Sequence, residues 1–168
     1  MTRAQLEHVL RAAGAIAQED KLVIIGSQAI LGAYPEAPPA LTVSLEVDLY
    51  PLNSPDKADL IDGSIGERSP FHETFGYYAH GIGPETAVLP YRWLSRVVQI
   101  NNANTGGVTG LCLHPADLAV SKLLAGRTKD LEFVKTMLSA GLVQKAQIES
   151  IQTELTEGQR LLLQSRLP

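Results

Sequence analysis

The stretch Leu41 to Pro51, LTVSLEVDLYP, alternates apolar and polar residues without a slip. Val43, Leu45, Val47 and Leu49 fall on one side, and Thr42, Ser44, Glu46, Asp48 and Tyr50 on the other. That period predicts a β-strand with one buried face. A second strand is predicted over Lys21 to Ile25, a short apolar run that stops at Gly26. Further strands are predicted over Phe75 to Ala79, Thr86 to Leu89, Val97 to Ile100 and Val108 to Leu113. Residues 101–107, NNANTGG, read as the turn between the last two.

Helical spacing fills the intervals. Thr2 and Gln5 form a capping box before Leu6, Val9, Leu10, Ala13 and Ile16, one apolar stripe. Ser27 is placed to cap a helix from Gln28 to about Tyr34, ended by Pro35. Ser54-Pro55 opens a helix that carries Ala58, Leu60 and Ile61 and breaks near Gly63. From His114 onward the chain reads as helical: Pro115 to Gly126, then Lys129 to Ala140 behind a Thr128 cap, then Val143 to Glu154. A second capping box, Thr156 to Gln159, precedes Leu161, Leu162 and Leu163. The order predicts an α+β (mixed α/β) fold in one compact domain, with an α/β core over 1–113 and a helical segment over 114–168.

The bulk numbers narrow the function. The longest uninterrupted apolar run is the four residues Leu22 to Ile25, so no membrane span is expected. The N-terminus lacks a secretory apolar region, and the single cysteine, Cys112, has no internal partner. Together these predict a cytoplasmic protein without a zinc cluster. The formal net charge is −4 with no run of Lys or Arg, which argues against a nucleic-acid-coating surface. No GxSxG and no GxxxxGK[ST] pattern is present.

Glu46 and Asp48 sit two apart on one strand, so both carboxylates leave the same face, their Cα atoms roughly 6.6 Å apart. Such a pair can converge on a divalent ion, and hard, oxygen-preferring magnesium suits it, with manganese as the substitute. The same spacing also describes an ordinary wet face of a strand. Upstream, Ile25-Gly26-Ser27 is a strand followed by a tight turn and a helix N-terminus, where a phosphate can approach the backbone and Ser27 can donate a hydroxyl. A plain Gly-Ser turn has the same residues. His80 shares a strand face with Tyr78 and is the best pocket candidate among the histidines. Trp93 reads as a core or lid aromatic, with base stacking as the other option, and Cys112 as core filler.

IIGSQAIL followed by SLEVDLYP resembles the GS…[D/E]hDh signature of minimal nucleotidyltransferases, and LHPADLAVSKLLAGRTKDLEFV is similar to the C-terminal helical segment of bacterial nucleotidyltransferase-like proteins. That group includes relatives of abortive-infection and toxin–antitoxin enzymes. The resemblance covers roughly residues 20–140. It implies a mixed β-sheet flanked by helices. It also implies that Gly26 and Ser27 contact a nucleoside triphosphate and that Glu46 and Asp48 bind Mg2+ or Mn2+. Lys122 and Lys129 match positions of basic residues near phosphate, and Lys122 joins the two acids in the expected catalytic set. The implied activity is metal-dependent nucleotidyl transfer to a protein, an RNA end or a small molecule. Two departures matter. Glu46 stands where Asp is usual, and no convincing third acid follows: Glu73 and Glu85 both look like loop residues. These departures keep open a weakened, regulatory nucleotide-binding module on the same fold.

Overall fold

A computed structural model describes residues 1–168. Its centre is a five-stranded mixed sheet in the order β3-β2-β1-β5-β4. The strands are β1 (Lys21–Ile25), β2 (Glu46–Pro51), β3 (Tyr78–Gly81), β4 (Val98–Ile100) and β5 (Thr109–Cys112). β1 runs antiparallel to β2 and parallel to β5, β2 runs parallel to β3, and β4 runs antiparallel to β5. A parallel neighbour demands a crossover, and helices α3 (Ala58–Ile65) and α4 (Pro70–Phe75) supply it between β2 and β3.

The capping box at Thr2 and Gln5 starts α1 (Arg3–Ala17), and Leu6, Val9, Leu10 and Ala13 of its apolar stripe are fully buried. Cross-strand partners share a face, so Leu22 and Ile24 lie on the side of Leu49 and Cys112, and Ile25 lies on the side of Asp48. The last third is helical: α5 (Pro115–Ala125), α6 (Thr128–Ser139), α7 (Lys145–Ser150) and α8 (Glu157–Arg166). Leu118, Leu123, Val134 and Met137 of this segment join Leu22, Ile24 and Leu49 in one buried cluster. No helix is long and apolar enough to cross a membrane.

Several boundaries differ from the sequence reading, each for a tertiary reason. The alternating stretch is a strand only from Glu46. Val47 and Leu49 are fully buried, but Val43 and Leu45 are 75% and 53% exposed. Pairing fails upstream because β1 ends opposite Asp48 and β3 begins opposite Glu46. Ser44 then closes a local turn, its Oγ accepting from the Glu46 backbone N–H at 3.2 Å. Pro39–Leu41 forms a 3₁₀ turn instead of strand.

Phe75 ends helix α4 instead of opening a strand. Ser69 caps that helix by accepting from the His72 N–H, Pro70 occupies its first turn, and Gly76 stops it at φ 79°. Phe71 and Phe75, one turn apart, both pack against His8. The predicted strand at Thr86 to Leu89 is a 3₁₀ turn (Pro84–Thr86) and an unpaired segment, because β-branched composition makes no strand without a neighbour. The helix at Ser54 begins as a 3₁₀ turn and runs past Gly63 to Ile65. Thr128 lies inside α6, with Arg127 at the cap position, and the predicted helix over Val143 to Glu154 is α7 followed by a 3₁₀ turn.

Candidate active site

The turn after β1 and the acidic pair of β2 meet in a cleft of about 560 Å3. Gly26, Ser27, Glu46, Asp48, Lys122 and Lys129 all line it. They come from two strand ends and two helices, and the topology explains why they meet. β1 and β2 are antiparallel neighbours with Ile25 opposite Asp48, so the residues just past β1 lie beside the start of β2. α5 and α6 close the other side with Leu118, Lys122, Arg127, Lys129 and Phe133.

Gly26 has φ 72° and ψ −168°, a region that essentially only glycine adopts. A Cβ there would lie 2.3 Å from Asp48 Oδ2. The glycine is therefore needed as much by the acid as by any incoming group. Ser27 does not cap a helix. It begins a 3₁₀ turn (Ser27–Ala29) that passes into the one-turn helix α2 (Ile30–Ala33). So short a helix contributes little dipole, and the positive potential of the cleft comes mainly from its lysines and arginine.

Strand β3 supplies each acid with a partner. Its register sets Tyr78 opposite Glu46 and His80 opposite Asp48. The Tyr78 hydroxyl donates to Glu46 Oε2 at 3.1 Å. Burial and that bond push the Tyr78 hydroxyl up to about 12, so it stays a donor. His80 Nδ1 lies 2.8 Å from Asp48 Oδ1. Burial raises the Asp48 carboxyl above the usual carboxylate range, and the nearby Glu46 charge adds to this, although the His80 bond and Lys122 pull the other way. Ligand atoms of Glu46, Asp48 and His80 lie within 4.8 Å of one another. Neither Glu73 nor Glu85 lines the cleft: Glu73 sits on α4, and the Glu85 carboxylate folds back over Gly83. A histidine, not an acid, stands third in this group.

The basic side is organised by Asp130, which is fully buried. It accepts from Lys122 Nζ at 3.2 Å and from Arg127 Nε at 2.6 Å. Burial disfavours its charge, but the bonds from Arg127 and Lys122 outweigh that, and the carboxyl lies below its ordinary range. Lys122 is 7% exposed, and its ammonium rests 4.4 Å from the Phe133 ring centre. Burial lowers its pKa against the pull of Asp130. Gly126, at φ 68°, ends α5 and turns the chain, so Lys122 and Lys129 do not share one continuous helix face, yet both reach the cleft. Lys129 is exposed and lies in no ion pair.

Two lining residues escaped the sequence reading. The first is Arg127, three residues before Asp130. It pairs with that acid and also lines the cleft with a side chain 63% exposed. Phe133, four residues after Lys129, is the aromatic of the cleft, a place Trp93 does not take. The signal available was helical spacing from Lys129 and Asp130.

A mixed sheet that carries a Gly-Ser turn beside an acid-x-acid pair, faced by helical lysines, defines a nucleotidyltransferase-like protein. The chain belongs to the family described as "Nucleotidyltransferase of unknown function (DUF6036)", whose model matches residues 4–166. No curated protein and no solved structure matches the chain.

Proposed function

We propose that this protein binds a nucleoside triphosphate together with a divalent ion in the cleft and transfers the nucleotidyl group to an acceptor hydroxyl. One observation carries the reading: the Gly26-Ser27 turn, the Glu46 and Asp48 carboxylates and the Lys122, Arg127 and Lys129 cations open into one cleft. Opposite charges face each other across it, as a metal–polyphosphate pair requires.

The donor set fits a divalent ion. Two carboxylates leave one strand face, and burial disfavours the charge of Asp48, a cost that a bound cation would offset. Glu46 and Asp48 would hold the ion, and its chemistry would be Lewis-acid stabilisation of charge on the triphosphate. Arg127 and Lys129, both exposed, meet the phosphates. Lys122 is shielded and already bonded to Asp130, so it sets the potential of the wall and holds Asp130 in place. The Ser27 hydroxyl is free to donate to a phosphate oxygen. Leu41, Val43 and Phe133 give the nucleoside an apolar surface. In the transfer, an acceptor oxygen bonds to the α-phosphorus, the bond to the bridging oxygen breaks, and pyrophosphate leaves. The acceptor proton passes to solvent or a nearby base.

A second reading is favoured by the histidine in third place. With no third acid grouped with Glu46 and Asp48, and with Asp130 held by Lys122 and Arg127, the fold serves as a nucleotide-binding regulator with weak transfer chemistry. Two measurements test both readings. Thermal melting with nucleoside triphosphates, with and without Mg2+ or Mn2+, should show metal-dependent stabilisation, about 2.7 kcal/mol at a hundredfold excess over Kd. α-Phosphate label should then appear on an acceptor, and Asp48→Asn should abolish that transfer. Stabilisation without transfer selects the regulator. No stabilisation at millimolar nucleotide rejects both.

A further inference from the structure

We infer that His80 is the third protein ligand of the divalent ion and that its nitrogen makes the site favour Mn2+ over Mg2+. This rests on the proposed nucleotide-and-metal reading of the cleft and adds to it the identity of one ligand and of the preferred ion.

The position of His80 follows from strand pairing. β2 and β3 are parallel, with Asp48 opposite His80, so the two side chains leave the same face. The imidazole Nδ1 is 2.8 Å from Asp48 Oδ1. Two adjacent donors, each about 2.1 Å from one ion, lie about 3 Å apart, so this separation suits a shared ion. Glu46 brings its own ligand atom within 4.8 Å of the other two. The His80 side chain is 47% exposed and open to the cleft.

No other group competes for the place. Asp130, the remaining carboxylate of the cleft, is committed to Lys122 and Arg127. Tyr78 on the same strand donates its hydroxyl to Glu46 at 3.1 Å, and it orients that acid instead of ligating. The three available ligands are thus two oxygens and one nitrogen.

Ion choice follows from that donor set. Mg2+ is small and hard, keeps to oxygen and gives up its water reluctantly. Imidazole suits first-row transition ions, while carboxylates suit both Mg2+ and Mn2+. Replacing a third carboxylate by imidazole removes one negative charge and one hard oxygen. The loss of charge weakens both ions, and the exchange of oxygen for nitrogen weakens Mg2+ more than Mn2+.

The experiment uses the full chain and the metals alone. Calorimetry gives the ratio of Mg2+ to Mn2+ dissociation constants, and pulsed electron paramagnetic resonance of the Mn2+ protein detects a directly bound nitrogen. The wild type should show the nitrogen coupling and bind Mn2+ the more tightly. His80→Ala should lose the coupling and about 10-fold or more in Mn2+ affinity, since removing even an outer-sphere partner of a metal costs that much. His80→Asp should move the ratio toward Mg2+ by about 10-fold, a shift that a merely orienting residue would not produce. His80 lies on an exposed edge strand, and circular dichroism of both variants checks that they fold. Mn2+ bound without nitrogen coupling overturns the inference and leaves the parent reading standing, and so does an unchanged ratio in His80→Asp. Mn2+ that fails to bind, or binds equally well to Asp48→Asn, overturns both.

Discussion

Replacing Gly26 by alanine disturbs the cleft in two separable ways. The first is backbone strain. At φ 72° and ψ −168° a side chain costs about 1–3 kcal/mol. The second is a collision, because the new Cβ would sit 2.3 Å from Asp48 Oδ2 and 3.2 Å from its Cγ. Asp48 must rotate away and give up its bond to His80, worth about 0.5–1.5 kcal/mol net. The total is roughly 1.5–4.5 kcal/mol. In a chain of this length each kcal/mol moves the melting temperature by about 2–4 °C, so the expected fall is roughly 3–18 °C. Urea unfolding of Gly26→Ala, Asp48→Ala and the double variant separates the two contributions. The clash with the carboxylate vanishes when Asp48 is already alanine, leaving a 3.3 Å contact with its Cβ, and the strain stays, so the cycle should show a coupling of about 0.5–1.5 kcal/mol. Gly26→Ala should also lose metal-dependent stabilisation by nucleotide. A variant within about 0.5 kcal/mol of the parent, with that stabilisation intact, would refute both the strain and the assigned closeness of turn and acid.

Three further outcomes follow from the same geometry. Asp130→Ala leaves Lys122 as a buried, unpaired cation and should cost about 3–5 kcal/mol in urea unfolding. Lys122→Met should cost less, since Arg127 still answers Asp130, and equal costs would contradict the hub role of the acid. Tyr78→Phe keeps the stack on His72 and removes only the donor to Glu46, so Mn2+ affinity measured by calorimetry should fall about 10–100-fold. Unchanged affinity would show that Glu46 needs no such orientation. Glu154 is pushed down to about 2, first by its bond from Arg96. Its folded pKa lies below its ordinary one, so the stability it adds is present above about pH 4.5 and is lost as pH falls toward 2. The stability gap between wild type and Glu154→Gln, which leaves the Arg96 bonds to Asp117 in place, should therefore be widest near neutrality and shrink across that window. A gap independent of pH would sink the assignment.

The acidic half of the site was more legible than the basic half. Glu46 and Asp48 lie on one strand, and period two alone puts them on one face. Lys122 and Lys129 lie on different helices joined through a left-handed Gly126, so no single periodicity relates them. Arg127 pairs with Asp130 across one helical turn, but its place in the cleft depends on where α6 docks. His80 drew notice only for its local company. Its contact with Asp48 spans 32 residues and exists because β2 and β3 pair in parallel at one register. The Ser69-Pro70 start and Gly76 stop of α4 were present in the chain, and the aromatic residues between them read as strand instead.

By itself the chain determined what short-range forces decide. The caps of α1 and α8, the β1 strand and its Gly-Ser stop, and the exit of two carboxylates from one face all follow from neighbours a few residues apart. Tertiary structure decided the rest. It ended strand pairing at Glu46, leaving Val43 and Leu45 in water, and it brought a histidine to the acids. It also turned three cations from α5, α6 and the link between them toward one cleft. A strand exists only where a neighbour completes its hydrogen bonds, and a site exists only where distant segments meet.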